Sequence, residues 1–286
     1  MPSSPADVLL VTFGLLPDGE PGGELLVSEL AERGVRARWA VWDDPGVEWA
    51  SARLVAVRSA WDYHRRCAEF LTWARRTAAV TTVLNGPDVF AWNADKSYLR
   101  ELGDHCPVVP TALLDDATLV RGLREAIERW RTVVIKPRTG AGGVGVVVAQ
   151  STHDPRLEGL TTAPWVVQPL VESVRTTGEL SVYVLGGAAV SQVAKAPSGD
   201  DIRVHELYGG RVRPVPVAGE VGELAEGAVR TAARLLDADL SYARVDVMRW
   251  QDNWVVSELE LIEPGLYLDV QPTNAGRFAD VVRQRL

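Results

Sequence analysis

The segment TVVIKPRTGAGGVGVVVAQ, residues 132–150, constrains this chain more than any other. Gly140, Gly142 and Gly145 stand in the spacing G-x-G-x-x-G, and Gly143 makes four glycines within six residues. In a dinucleotide-binding turn that spacing opens a helix whose N-terminus faces a pyrophosphate. Here valines follow, which are β-branched and poor helix formers, so the required helix is missing. A Walker-type phosphate loop is excluded too, because no Gly-Lys-Ser/Thr closes the stretch. The pattern specifies strand, flexible loop, strand. The tip of such a hairpin has almost no side chains and can lie over phosphates through its backbone N–H groups, with Lys136 supplying a cation nearby. A flexible hairpin turn with no ligand satisfies the glycines equally well, so the rest of the chain decides.

Composition narrows the partners. The 286 residues are 47% hydrophobic, enough for one large α/β domain or two to three subdomains with real cores. A formal charge of −8 and a pI near 5.2 exclude nucleic acid as a partner, because no Lys/Arg run is dense enough to neutralise a row of phosphates. Cys67 and Cys106 have neither CxxC nor His-pair spacing and read as reduced, packed thiols. The apolar run VLLVTFGLL lacks a basic lead and a small-residue cleavage site, and no run approaches the roughly 18 residues a bilayer needs. The expectation is a soluble, cytoplasmic protein with no membrane partner, a monomer or homodimer.

Along the chain, residues 8–13 read as a strand, Glu24 to Arg33 as a helix stopped by Gly34, and RARWAVW and ARLVAVRSAWDY as further strands. Ala68 to Arg76 then gives a helix and TTVLN a strand, the alternation of a small parallel sheet ending near residue 90. NADKSYLRELG reads as one helix capped by Asn93 or Asp95, and about 116–130 and 220–236 as two more. The second half is otherwise strands joined by tight turns, hence mostly antiparallel sheet. The fold class is α/β (α+β).

SELELI places Glu258 and Glu260 on one face of a strand and Leu259 and Leu261 on the other. If QDN is a three-residue turn, Trp250 pairs with Trp254, Asp246 lies opposite Glu258, and Arg244 lies opposite Glu260. Like charges opposite each other are destabilising in a sheet, so a hard cation such as Mg²⁺ among them makes sense of the arrangement. A solvated outer face is the alternative reading. In the first domain, Arg58, Ser59, Trp61, Asp62 and Tyr63 cluster just past an apolar strand, where open parallel sheets place ligands. They form the candidate substrate pocket, unless Arg58 pairs with Asp62 and the aromatics pack under a helix. His64, His105, His153 and His205 are scattered, and none is assigned a catalytic role.

Taken in order, DK at 95–96, VVIKPRTGAGGVGV at 133–146, VVQPL at 166–170, GELSVYVLGG at 178–187 and ARVDV…ELELIEPG at 243–265 resemble the ATP-grasp ligases, in particular their glutathione synthetase-like members. Glu260 stands where that group usually has Asn. RSAWDYHRR, VFAWNADKSYLREL, VAKAPSGDDIRVHELYGG and ELELIEPGLYL resemble the D-cycloserine synthetase branch, whose reaction closes the ring of O-ureido-serine. The resemblance implies an ATP-grasp fold with a substrate-binding α/β domain over 1–90. Two α+β subdomains, over 91–168 and 169–286, would enclose ATP between them.

It further implies that Lys96 and Lys136 reach the ATP phosphates under the loop of Gly140, Gly142, Gly143 and Gly145. Gln168, Pro169 and Leu170 would form the hinge strand beside adenine, with Glu179 near the nucleotide. From the residues alone, Gln168 is a buried polar side chain that suits either an adenine edge or an internal hydrogen bond. Lys195 and Arg203 would face the γ-phosphate and the developing acyl phosphate, with Arg244 clamping the transferring phosphoryl group. Asp246, Glu258 and Glu260 would hold Mg²⁺. The implied activity is an ADP-forming ligase that joins the carboxylate of a small amino-acid-like substrate to an amine-type nitrogen through an acyl phosphate, with ring closure as one form. Intermolecular amide formation and a non-catalytic ATP-binding accessory protein are the alternatives.

Overall fold

The computed structural model describes residues 6–160, 164–199 and 201–286. Strands β1 (Val8–Thr12), β2 (Ala37–Val41), β3 (Leu54–Ser59) and β4 (Thr82–Val83) form a parallel sheet in the order β2-β1-β3-β4. β1 and β3 are buried throughout because both faces are covered, which is why they read as continuous apolar runs rather than alternating ones. Leu26 and Leu30 of α1 (Glu24–Glu32) cover one face, together with Phe278 of α7 (Thr273–Gln284). Phe70 and Ala74 of α2 (Cys67–Ala78) cover the other. Helix α7, from the far end of the sequence, thus closes the first sheet.

The single helix expected over NADKSYLRELG is two, α3 (Pro87–Asn93) and α4 (Tyr98–Gly103). Between them Asn93 turns its amide onto the carbonyl of Leu259 and the N–H of Leu261, while Asp95 accepts from the Ser97 N–H. Side chains committed to other backbone break the helix there.

β5 (Ala112–Leu114), β6 (Val133–Pro137), β7 (Val147–Ala149) and β8 (Trp165–Pro169) make an antiparallel sheet in the order β5-β8-β6-β7. Val133, Ile135, Trp165 and Val167 face α5 (Leu119–Trp130), whose Leu123 and Ala126 complete that core. The period of two therefore turns Val134, Lys136 and Gln168 to the opposite face. The glycine segment is the β6–β7 connection, so strand, loop, strand is what forms.

The largest sheet runs β11-β10-β9-β12-β13, built from β9 (Glu179–Leu185), β10 (Ala188–Ala196), β11 (Arg211–Val215), β12 (Tyr242–Trp250) and β13 (Asn253–Glu260), all antiparallel. Val182, Val184, Val245, Val247 and Leu259 pack against α6 (Gly219–Leu236). Alternation then sends Glu179, Ser181, Arg244, Asp246, Glu258 and Glu260 to the other face.

The expected register of β12 on β13 is present, but by a different route. The turn is two residues, Gln251 and Asp252, both at positive φ, and Trp250 lies opposite Asn253 rather than Trp254. A bulge at Ser257 adds one residue to β13, which restores Asp246 opposite Glu258 and Arg244 opposite Glu260. Two departures of one residue cancel.

Candidate active site

The polar face of the large sheet carries interleaved charge. Lys195 lies directly opposite Glu179, with Nζ 3.0 Å from its Oε1 and 3.2 Å from Oδ2 of Asp246. Arg244 forks onto both Asp246 oxygens at 2.9 Å and also reaches Oε1 of Glu260. Lys96, in the connection between α3 and α4, comes within 3.0 Å of Glu258 and donates to the Gly140 carbonyl at 2.7 Å. Lys136 comes to the same cluster from β6, where the charges of Glu258, Lys96, Glu179 and Asp246 act on it. Four carboxylates thus face four cations.

That arrangement corrects one step of the sequence argument. The like-charged carboxylates do not need a metal ion to coexist, because Lys96, Lys195 and Arg244 already neutralise them. Among the described residues no group of three or more His, Cys, Asp or Glu side chains is disposed to hold a metal. Asp246 has both oxygens committed, with Ser181 adding a hydroxyl hydrogen bond to Oδ1. Glu258 and Glu260 differ from it. Their side chains keep 28% and 26% of their surface, and each uses only Oε1 in its ion pair. Two half-free carboxylates at the mouth of the cluster fit a hard, oxygen-seeking cation.

The protonation equilibria follow from this packing. Burial works against the charge of Asp246, yet Arg244 and Lys195 hold it well below the usual carboxylate range. Burial also opposes ionisation of Glu258, but Lys96 and Lys136 keep it lowered. At Glu260 burial prevails over Arg244 and pushes the carboxyl up to about 7. Burial lowers Lys136 against the pull of Glu258. At Lys195 burial and Arg244 oppose the charge, but Asp246 and Glu179 overcome them and raise it.

The loop between β6 and β7 approaches this face. Gly142, Gly143 and Gly145 take positive φ, whereas Gly140 does not. A Cβ on Gly143 would come within 3.3 Å of Arg203 and Tyr208, so the segment between β10 and β11 rests against the glycine tip. Arg203 itself pairs with Asp201 and stacks on Tyr208 at 3.4 Å, and it makes no ion pair with the carboxylates. Gln168 donates to the Thr111 hydroxyl at 2.9 Å, which is the internal hydrogen bond. Pro169 and Leu170 are buried beside it.

The first-domain cluster is mostly not a pocket lining. Arg58 has no exposed surface and pairs with Glu20 and the Pro264 carbonyl, not with Asp62. Ser59 is buried against Thr12, and Tyr63 packs with Phe70. Asp62 accepts from the Trp42 indole and from Arg66. Trp61 is half-buried, its indole donating to the Glu263 carbonyl of the loop after β13 at 3.1 Å. The loop after β13 covers Arg58, whereas Ser59, Asp62 and Tyr63 are held within the first domain by Thr12, by Trp42 and Arg66, and by Phe70.

Sequence reasoning missed Ser181, Ser257 and Glu20. Ser181 was legible, two residues from Glu179 on the same face. Ser257 donates to Oε2 of Glu179 only because the bulge turns it to the Glu258 side. Glu20, in a turn, carries no sequence signal.

Comparison with known proteins agrees with this architecture. Residues 8–85 match the family described as the N-terminal domain of D-cycloserine synthetase DcsG. The cycloserine biosynthesis protein DcsG of Streptomyces lavendulae is 32% identical over 270 residues, covering 88% of this chain and 90% of that protein. The crystal structure of D-cycloserine synthetase DcsG superposes with a TM-score of 0.86 at 28% identity, over 97% of this chain and 99% of the other. D-alanine–D-alanine ligase from Bacillus anthracis shares the fold, at TM-score 0.66 and 12% identity over 97% and 95% of the two chains.

Proposed function

Because the chain belongs to the D-cycloserine synthetase family of ATP-grasp ligases, we propose that it couples ATP cleavage to ring closure of a small amino-acid-like substrate of the O-ureido-serine type. In the first step a carboxylate oxygen of the substrate attacks the γ-phosphorus, the bond to the β–γ bridging oxygen breaks, and ADP departs. In the second step an amine-type nitrogen attacks the acyl carbon, phosphate leaves, and the nitrogen gives up a proton. Phosphoryl transfer of this kind needs positioning and charge neutralisation more than a nucleophile or a histidine base. The first 90 residues would then serve substrate, and the two following subdomains would enclose ATP.

The observation that carries this reading is the interleaving of four carboxylates with four cations beneath a glycine-rich loop. Such pairs can exchange partners. Lys96 and Lys136 would turn to the β- and γ-phosphates, and Lys195 and Arg244 to the transferring phosphoryl group. Arg203 would approach from the loop above. Gly140, Gly142, Gly143 and Gly145 would cover the phosphates, with Gln168, Pro169, Leu170 and Glu179 along the nucleotide. Glu258 and Glu260 would hold Mg²⁺, joined by Asp246 once its cations have turned away. When bound, Mg²⁺ would neutralise charge on the phosphate oxygens.

The test is ADP and phosphate release from Mg-ATP with O-ureido-D-serine and a panel of other amino acids. AMP and pyrophosphate as products would refute the chemistry. Glu258→Gln and Glu260→Gln should each abolish turnover with the fold intact, and full activity in both would refute the metal assignment.

A further inference from the structure

The loop that follows β13 is held in an unusual way. Six consecutive carbonyls, from Leu261 to Leu266, each accept a hydrogen bond from a side chain elsewhere in the chain. Asn85 serves Leu261 and Tyr242 serves Ile262. Trp61 serves Glu263, Arg58 serves Pro264, Tyr183 serves Gly265 and Asn274 serves Leu266. The N–H of Leu266 is taken by Glu20. A segment with every carbonyl pinned is a rigid platform, and rigid support is what a ligand-binding group requires.

One side chain on that platform is left over. Glu263 is only 8% exposed, and its carboxylate makes no ion pair and no hydrogen bond to another residue among those described; its one hydrogen bond is with its own backbone N–H. The four carboxylates of the centre each have a cation beside them, Lys195 for Glu179, Lys96 for Glu258 and Arg244 for Asp246 and Glu260, and Glu20, which supports the platform, has Arg58. Glu263 feels the charges of Glu260, Lys96 and Arg244, so it lies close to the same charged cluster, and it adjoins Trp61, whose indole lies against Gly265. A buried carboxyl lacking a counter-ion is destabilising unless a cation arrives. Burial and Glu260 raise Glu263 well above the ordinary carboxyl value, as expected while it has none.

We propose that Glu263 is the anchor for the ammonium group of an α-amino-acid substrate, which it receives between Trp61 and the phosphoryl-transfer centre. The proposal rests on the reading of this site as one that activates an amino-acid-like carboxylate. It assigns the recognition of the opposite, cationic end of that molecule. Lys96 and Arg244 cannot serve that end, being cations themselves.

The test is equilibrium binding, read by tryptophan fluorescence, of O-ureido-D-serine and of its des-amino analogue, both with Mg-AMPPNP present. Wild type should prefer the amino acid by about tenfold or more, the worth of a charge-assisted hydrogen bond. Glu263→Gln should bind the two compounds alike, and Glu263→Asp should recover part of the preference. Both variants should bind Mg-AMPPNP as wild type does and unfold at similar temperatures without ligand. Retention of the preference by Glu263→Gln overturns the proposal. So does wild type that shows no preference or binds neither compound, or a Glu263→Gln variant whose defect lies in the Mg²⁺ requirement. Wild type that prefers the amino acid yet releases no ADP with any substrate removes the ligase reading and leaves the anchor standing.

Discussion

Arg58, in which no atom reaches solvent, donates to the carbonyl of Pro264 across a sequence separation of 206 residues, and its ring-facing side lies 4.6 Å from the centre of Phe278. This one side chain ties the end of β3 in the parallel sheet to the loop after β13 and to the C-terminal helix. It is placed where a substrate residue would stand, but it acts as a tether.

The tether predicts a stability phenotype. Arg58→Ala leaves Glu20 buried without its cation, and breaking a buried pair in this way costs about 3–5 kcal/mol. For a chain of this size the melting temperature should fall by roughly 6–20 °C. Glu20→Gln in the Arg58→Ala background should recover part of the loss, since the uncompensated charge disappears. A strictly additive double variant in thermal melts would show that the pair is not the source.

The glycine tip predicts a graded series. Gly143→Ala must adopt a left-handed backbone and brings a methyl group to 3.3 Å from Arg203 and Tyr208; at Gly145 the same change meets Pro137 at 2.9 Å. Left-handed backbone costs a residue with a side chain roughly 1–2 kcal/mol. ATP affinity should weaken by roughly 5- to 30-fold in both variants. Gly140→Ala has ordinary φ and no neighbour closer than 3.6 Å, so its affinity should change little. Equal losses at all three positions, measured by titration calorimetry, would remove the backbone explanation.

What the sequence allowed to be read, and what it did not, follows from how far apart the determinants lie. The strand–glycine–strand segment and the alternation in SELELI are local patterns, so the hairpin and the polar face of β13 follow from spacing alone. Arg58 reads equally well as ligand or tether from RSAWDY, because its partners Glu20, Pro264 and Phe278 come from three remote segments. The pinned carbonyls from 261 to 266 are invisible for the same reason. Six unrelated donors converge there only after folding.

Cys106 should be nearly inert. Burial pushes its thiol up to about 11 from an ordinary value of 9.0, so the thiolate that alkylating reagents attack is suppressed roughly 100-fold at neutral pH. Iodoacetamide labelling at pH 7.5 should be slower than that of a free cysteine by at least that factor, and its rate should rise with pH to about 11. Labelling that levels off near pH 9 would contradict the assignment.

The bulge at Ser257 gives the sharpest test of how the acidic face is built. Ser257 and Glu258 are neighbours, yet both turn toward the polar face: Ser257 donates to Glu179, and Glu258 meets Lys96. Val256 on one side and Leu259 on the other both pack against α6. Deleting Ser257 should therefore leave a regular strand in which Val256 still opposes Val247 and Glu258 still opposes Asp246. The loss is one hydrogen bond to Glu179, about 1 kcal/mol, and Mg²⁺-dependent ATP binding should survive. Deleting Leu259 has the opposite consequence. Glu260 would then take the buried position of Leu259 against α6, an unpaired carboxyl in an apolar layer, and the chain should fail to fold cooperatively. Circular dichroism melts of the two deletions decide the matter, and equal behaviour would mean that the bulge does not set which residues face the site.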